Sequence, residues 1–241
     1  MHIAETQQAL AEAGAAEFAR RSREAVEGHG RFLVALAGGE TPRGVYVRLA
    51  DRQGPYRAQI PWERTFVLFG DERQVAPDHE DSNFRMVSEA LLRHVPVPEE
   101  QVHRMRGENP DALRAAEEYE EILRDVFRLG DGERPRFDLV LLGMGADGHT
   151  ASIFPGAPAA RESARLATAV KLDPGPDRIT LTLPVFNNAA VVLFLVSGAG
   201  KAEAARQVLG GASDLPAAQV RPDRGDLLWL LDRDAAAGLP R

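Results

Sequence analysis

The chain has 241 residues, of which 44% are hydrophobic, enough to build the core of one large domain or two small ones. Its net charge of -7 gives no electrostatic reason to bind nucleic acid or an anionic membrane, so we expect neither partner. Cysteine is absent, which excludes disulfides, thiolate metal sites and cysteine nucleophiles.

The segment that ends at Gly28 is charged and helical in pattern, and it lacks the apolar centre of a signal peptide. No later run approaches the ~18 apolar residues of a membrane span. We therefore expect a cytoplasmic protein. Because the chain shows no linker, low-complexity tract or internal repeat, we also expect a single domain over residues 1–241.

Apolar runs typical of buried strands alternate with amphipathic stretches typical of helices. The predicted strands are 31–37, 65–70, 102–105, 137–142, 166–171, 178–183, 189–196 and 227–231. The predicted helices are 6–27, 42–50, 84–94, 111–127 and 201–209. This alternation predicts an α/β fold with a mostly parallel sheet that is covered on both faces.

Several of these strands end in loops that carry the polar residues of interest. These loops are 38–43, 70–73, 143–150 and 197–201. Such loops gather at the carboxyl edge of a parallel sheet, where ligands bind in open α/β folds. The sequence therefore predicts that the four loops converge on one site.

The third of these loops carries an acid and an imidazole within a glycine-rich turn. Its glycines match the dinucleotide-binding pattern, but Asp147 would face the pyrophosphate and no convincing acidic residue follows about 20 positions later. We predict instead that His149 is a general base, with Asp147 either fixing its tautomer or contacting a substrate. The plainer alternative is a tight turn that only joins a strand to a helix.

The loop after the first predicted strand is a candidate phosphate site. Backbone N–H groups of Gly38 and Gly39, the Thr41 hydroxyl and a helix N-terminus can all face an anion there. The alternative is a simple helix cap, with Thr41 as the N-cap and Pro42 as the first helical residue. Glu40 weighs against phosphate unless its side chain turns outward.

Other polar residues at the same edge are ambiguous when each is taken alone. Lys201 offers a cation in a helix's first turn, where a cation opposes the helix dipole, and Arg178 begins a strand. Asp71 and Arg73 are equally consistent with a solvated turn, and Asn83 with a helix start. The other histidines show no metal-ligand spacing, and no Gly-x-Ser-x-Gly elbow points to a serine hydrolase.

Taken together, six motifs resemble the 6-phosphogluconolactonases of the glucosamine-6-phosphate isomerase/6-phosphogluconolactonase family. They lie at 36–42, 69–73, 81–84, 143–156, 178–182 and 197–201, in the order that the family shows. The resemblance implies hydrolysis of 6-phospho-D-glucono-1,5-lactone to 6-phospho-D-gluconate, in the oxidative pentose phosphate pathway. It also implies a Rossmann-like three-layer α/β/α fold that needs no metal or other cofactor. We expect a monomer or a weak homo-oligomer.

The resemblance also implies roles for individual residues. His149 would activate water, and Asp147 and Asp71 would be the other catalytic carboxylates. The substrate-binding residues would be Gly38, Gly39, Thr41, Arg73, Asn83, Arg178 and Lys201. One departure is Glu40, where relatives usually have a small hydroxyl residue.

Two alternative functions remain open. A glucosamine-6-phosphate deaminase would carry a glutamate five residues after the histidine, but this chain has Phe154, which cannot transfer a proton. A non-catalytic sugar-phosphate sensor would keep the phosphate loops and could dispense with His149. The absence of a DNA-binding helix pair and of a basic patch weighs against a sensor of the transcriptional kind.

Overall fold

The computed structural model describes residues 1–211 and 213–239; positions 212, 240 and 241 of the predicted domain lie outside it. The strands are β1 (His2–Ala4), β2 (Phe32–Leu36), β3 (Thr65–Phe69), β4 (Asp71–Arg73), β5 (Leu139–Leu142), β6 (Ala167–Val170), β7 (Arg178–Leu181), β8 (Val191–Val196) and β9 (Asp226–Asp232). The α-helices are α1 (Gln7–His29), α2 (Glu40–Ala50), α3 (Asn83–Ala90), α4 (Ala112–Phe127), α5 (Leu183–Asn187), α6 (Ala202–Leu209) and α7 (Pro216–Gln219).

A six-stranded sheet in the order β1-β9-β8-β5-β2-β3 forms the centre of the molecule. Every neighbouring pair in it is parallel. Three of its inner strands, β2, β5 and β8, are apolar and buried along their whole length, because each is covered on both faces. All six carboxyl ends therefore point to the same edge of the sheet.

Helices cover both faces of the sheet and create two separate cores. Leu10 and Phe18 of α1 and Tyr46 of α2 pack on one face, together with α3. Tyr119 of α4 and Ala205 of α6 pack on the other face. The predicted Rossmann-like three-layer α/β/α architecture is thereby confirmed.

A second, three-stranded antiparallel sheet has the order β4-β7-β6. The sequence predicts strands at the positions of β6 and β7 within a mostly parallel sheet and does not distinguish this smaller one. The connection between these strands is too short for the crossover of a dozen or more residues that parallel pairing needs, so the two strands pair as a hairpin. This small sheet brings Asp71 and Arg73 beside the carboxyl edge of the central sheet.

Several local predictions were wrong. The predicted strand at 102–105 is reduced to a single bridge between Val102 and Val67. The helix predicted over 84–94 ends at Ala90 and continues as a separate 3₁₀ turn. Helix α2 begins at Glu40, so that Pro42 is its third residue rather than its first, and the short strands β1 and β4 were missed. Each error lies at a short or polar segment, where periodicity carries little signal.

None of the helices in the described ranges combines the length and the apolarity that crossing a bilayer requires.

Candidate active site

A cavity of about 490 Å³ opens at the carboxyl edge of the central sheet. Its lining residues are Gln7, Ala37, Gly38, Gly39, Glu40, Thr41, Pro42, Asp71, Arg73, Asn83, Gly143, Met144, Gly145, His149, Ala151, Leu195, Val196, Ser197, Gly198 and Lys201. Three of the contributing loops follow β2, β5 and β8, which are neighbours in the sheet. The fourth contribution comes from β4. The predicted convergence of the four loops is confirmed.

The loop after β5 holds His149 by hydrogen bonds to its ring and to its backbone. Nδ1 of His149 donates to Oδ1 of Asp147 at 2.6 Å, and the backbone N–H of His149 donates to the same oxygen at 3.1 Å. The backbone N–H of Gly145 donates to the carbonyl of His149 at 2.8 Å. The remaining ring nitrogen, Nε2, is therefore left for a ligand or a water molecule.

The carboxyl group of Asp147 is tuned by this arrangement. Partial burial opposes its ionisation, but the backbone N–H and the imidazole of His149 outweigh burial and hold the pKa of Asp147 below its ordinary value. An ionised carboxylate only accepts hydrogen bonds, so it fixes the proton of His149 on Nδ1.

The face of the imidazole rests against Phe154. The two ring centroids lie 4.6 Å apart and the ring planes are tilted by 43°. Phe154 can neither donate nor accept a proton, so it supports the imidazole by contact and adds no second acid or base beside it.

Gly145 leaves room for the Asp147–His149 pair. A Cβ atom at position 145 would lie 2.1 Å from Nδ1 of His149 and 2.5 Å from Oδ1 of Asp147. We expect Gly145→Ala to displace both side chains and to lower kcat about 10-fold or more, because small misplacements of a catalytic group are costly. Steady-state assays and thermal melts would check this, with Gly28→Ala as control because nothing lies within 4 Å of a Cβ there. A Gly145→Ala enzyme with unchanged kcat would contradict the geometry.

The loop after β2 leads straight into the N-terminus of α2. Gly39 has φ of +97° and is the residue that precedes the helix, so the alternative in which Thr41 is the N-cap is wrong: Thr41 is the second helical residue. Thr41 still lines the cavity from this position in the first turn. Glu40 lies at the rim, where its side chain is 81% exposed and approaches Arg43 at 3.6 Å. The outward turn of Glu40 removes the main objection to an anion beside this loop.

The loop after β8 is held by a carboxylate that the sequence did not reveal. Oγ of Ser197 donates to Asp232 at 2.5 Å, and the backbone N–H groups of Gly198 and Ala235 donate to it at 3.1 and 2.8 Å. Burial raises the pKa of Asp232, but these bonds prevail and leave it below the ordinary value. Asp232 thereby fixes the turn that presents Lys201 to the cavity.

The stability that Asp232 contributes should depend on pH. Because its pKa is lower in the folded chain, that stability is present above the unfolded value of about 4 and is lost as pH falls through the folded value. We expect the wild type to exceed Asp232→Asn in free energy of unfolding at neutral pH, and this excess to shrink below about pH 4. Urea unfolding over a pH series would measure it. Asp234→Asn, an exposed neighbour, is the matched control, and a difference independent of pH would contradict the argument.

The last group of predicted residues surrounds β4. Asp71, Arg73 and Asn83 line the cavity, whereas Arg178 does not; it lies directly opposite Arg73 in the antiparallel pair of β4 and β7. Burial lowers the pKa of Arg178, and the charge of Arg73 lowers it further. Nη1 of Arg178 is buried without a hydrogen-bond partner. Asp71, Asp81 and Glu72 offset part of this effect. A buried, unbonded guanidinium N–H beside a second arginine still favours an anion next to them.

Asn83 is the first residue of α3, but it is not the cap. The cap is Ser82, whose hydroxyl accepts from the backbone N–H of Arg85 at 3.1 Å. The Asn83 amide instead donates to the main-chain carbonyl of Asp71 at 2.9 Å. Its side chain thus serves the cavity wall rather than the helix start.

Sequence reasoning missed three residues at or near the cavity besides Asp232. Gln7 and Met144 line it, and Ser152 donates a hydrogen bond of 2.6 Å to Asp71. Ser152 lies inside the predicted central motif, but a serine there gives no sign of its partner 81 positions away. In the described part of the chain, no group of three or more His, Asp or Glu side chains could hold a metal ion.

Three comparisons with known proteins agree in direction. A family model for glucosamine-6-phosphate isomerases/6-phosphogluconolactonase matches residues 5–229. The 6-phosphogluconolactonase of Synechocystis sp. is 41% identical over 222 residues, which cover 91% of this chain and 89% of that protein. The solved 6-phosphogluconolactonase from Trypanosoma brucei is 30% identical, with a TM-score of 0.88 over 99% of this chain and 98% of that chain. A solved monomeric glucosamine-6-phosphate deaminase is 21% identical, with a TM-score of 0.80 over 98% of each chain, a likeness of fold alone.

Proposed function

Because the chain belongs to the glucosamine-6-phosphate isomerase/6-phosphogluconolactonase family, we propose that it is a 6-phosphogluconolactonase that uses His149 as its general base. It hydrolyses 6-phospho-D-glucono-1,5-lactone to 6-phospho-D-gluconate. The observation that carries the proposed roles is that His149, Thr41 and Lys201 line one cavity. A base and an anion-binding end in one cavity suit a cyclic ester that carries a phosphate at its far end.

The geometry of His149 suits a general base. With Nδ1 donating to Asp147, Nε2 can take a proton from a water molecule while the water oxygen attacks the lactone carbonyl carbon. The imidazolium then returns this proton to the ring oxygen as the carbon–oxygen bond breaks, which leaves a carboxylic acid and a free hydroxyl. Such assistance is worth roughly 10²- to 10⁴-fold in rate.

The phosphate end of the cavity supplies orientation. We assign to it the backbone of Gly38 and Gly39, the Thr41 hydroxyl and the ammonium group of Lys201, with Arg73 and its cross-strand neighbour Arg178 adding positive charge. Binding energy gained at this non-reacting end can hold the ring over His149. The cavity volume of about 490 Å³ is adequate for one phosphorylated sugar.

The oxyanion that forms during attack also needs a donor. In the central loop the backbone N–H groups of Gly145, Gly148, His149 and Thr150 are already bonded within the chain. The donors left are the guanidinium of Arg73 and the remaining N–H groups of the loop. Either would stabilise negative charge where it develops.

The proposal extends to the setting in which the enzyme works. The substrate is a small phosphorylated lactone, and nucleic acid and membranes play no part, in keeping with the net charge of -7. We place the enzyme in the cytoplasm as a single domain, acting as a monomer or a weak homo-oligomer.

We expect the purified protein to hydrolyse 6-phosphogluconolactone far above the spontaneous rate. We expect no deamination of glucosamine 6-phosphate, because Phe154 offers no second acid or base beside His149. The lactone would be generated in place by oxidising glucose 6-phosphate, with its decay followed by acid release. Ammonia formation would measure the second reaction. Deamination without lactone hydrolysis would overturn the proposal, and ligand binding without either reaction would point to a sensor.

A further inference from the structure

The carboxylate of Asp71 is held from two sides at the cavity wall. Oγ of Ser152 donates to its Oδ2 at 2.6 Å, and Nδ2 of Asn83 donates to its Oδ1 at 3.2 Å. Asp71 is 7% exposed, while Ser152 and Asn83 are each 2% exposed. Side chains this deeply buried and joined by hydrogen bonds have little freedom, so the carboxylate presents its remaining lone pairs in a fixed direction.

The chemistry of a carboxylate restricts what it can recognise there. An ionised carboxylate accepts hydrogen bonds and donates none. On a phosphorylated sugar lactone, the phosphate oxygens, the ring oxygen and the carbonyl oxygen are acceptors, and only the hydroxyl groups donate. Asp71 would repel the phosphate, so its partner on the substrate must be a hydroxyl.

Asp71 also has a different place in the site from Asp147. Asp147 is bound to the imidazole of His149, so the base already has the carboxylate that orients it. Asp71 instead accepts hydrogen bonds from Asn83, the first residue of α3, and from Ser152. Its hydrogen bonds set up a wall of the cavity rather than a proton path through the imidazole.

The orientation of Asn83 extends this wall to the phosphate loop. Its Nδ2 faces two acceptors on Asp71, the carbonyl and the carboxylate, so its Oδ1 must point the other way. There Oδ1 abuts Gly38, where an added Cβ would lie 1.8 Å from it. A continuous chain of contacts therefore runs from the loop after β5, which carries His149, to the loop after β2. Its members are Ser152, Asp71, Asn83 and Gly38.

We infer that Asp71 determines substrate specificity by accepting a hydrogen bond from a ring hydroxyl of the lactone, and that Ser152 and Asn83 are positioning residues that aim its carboxylate. This inference rests on the proposed function, because it takes the ligand to be a phosphorylated sugar lactone. Asp71 then contributes to substrate selectivity. This role is separate from the proton transfer at His149.

The first test uses the wild-type enzyme and four substrates. The parent lactone carries ring hydroxyls at carbons 2, 3 and 4, and each can be removed singly in the 2-deoxy, 3-deoxy and 4-deoxy 6-phospholactones. We expect one of the three analogues to lose about 10- to 100-fold in kcat/KM, the range for one hydrogen bond to a charged group. Activity on the parent lactone with equal kcat/KM for all three analogues would overturn this inference alone. Inactivity on the parent would overturn the proposed function and this inference with it.

The second test asks whether the discrimination depends on Asp71. In Asp71→Asn and Ser152→Ala, we expect the ratio of kcat/KM between the parent and the discriminated analogue to fall towards one, because both variants act poorly on the parent and no worse on the analogue. If Asp71 and Ser152 only maintained the fold, the variants would lower kcat/KM for all four substrates alike and leave the ratio unchanged. That unchanged ratio would overturn the inference.

Ser82→Ala is the matched control. Ser82 caps the same helix and donates to Glu72, but it does not line the cavity. Its loss should lower stability without changing the ratio between substrates. If Asp71→Asn proves too unstable to assay, Ser152→Ala still decides the question, since it removes one hydrogen bond and leaves the carboxylate in place.

Discussion

His149→Ala should lower kcat for 6-phosphogluconolactone by roughly 10²- to 10⁴-fold, the contribution of a well-placed general base. The KM should change little, because the residues that we assign to the substrate's phosphate lie on other loops. Nε2 of His149 is the atom placed to take the proton, since Nδ1 is bound to Asp147 at 2.6 Å. The measurement is a steady-state assay of acid release corrected for spontaneous hydrolysis.

His94→Ala provides the control for this prediction. His94 is exposed, its ring contacts the carbonyl of Glu89 at 2.9 Å, and it does not line the cavity. We expect wild-type turnover from it. A folded His149→Ala enzyme that retained wild-type kcat would show that the attacking water is activated elsewhere.

Lys201→Ala should raise KM for the lactone by about 10- to 100-fold with a smaller change in kcat, because a charged group that binds phosphate contributes about 1.5–3 kcal/mol. The loss should appear mainly as weaker binding, since we assign Lys201 to the non-reacting phosphate end of the substrate. Inorganic phosphate should inhibit the wild type competitively and the variant more weakly. Initial-rate kinetics with and without phosphate would measure both effects.

Lys171→Ala is the natural comparison, because Lys171 is the only other lysine of the chain and is exposed away from the cavity. Each of the two variants removes one positive charge, so both change the net charge of the protein equally. If both variants raised KM equally, the effect of Lys201 would be one of general electrostatics and its place at the phosphate end would be wrong.

The main elements of the fold could be predicted because their signals are local. The run of β8, Val191–Val196, is wholly apolar, and α1 begins after Thr6, whose hydroxyl accepts from Ala9 as an N-cap should. The convergence of the four loops followed from a general property of parallel sheets. These inferences needed no knowledge of which residues touch across the structure.

The features that were missed depend on distant polar partners. Asp232 holds Ser197 from 35 positions away, and Ser152 meets Asp71 across 81 positions. A hydrogen bond between two single side chains leaves no periodic trace in the sequence. β4 was missed for a similar reason, since a polar strand of three residues is defined by its partner β7 rather than by its own composition.

The proposed base and the proposed anion-binding groups lie at the ends of different strands, on separate loops of the rigid parallel sheet. Binding of the substrate's phosphate and the reaction at its carbonyl carbon can therefore be altered by changes in different loops. Redesign of the loop after β2 to accept an uncharged anchor would leave the machinery after β5 in place. The fold would then supply a lactone-opening catalyst with a different anchor for its substrate.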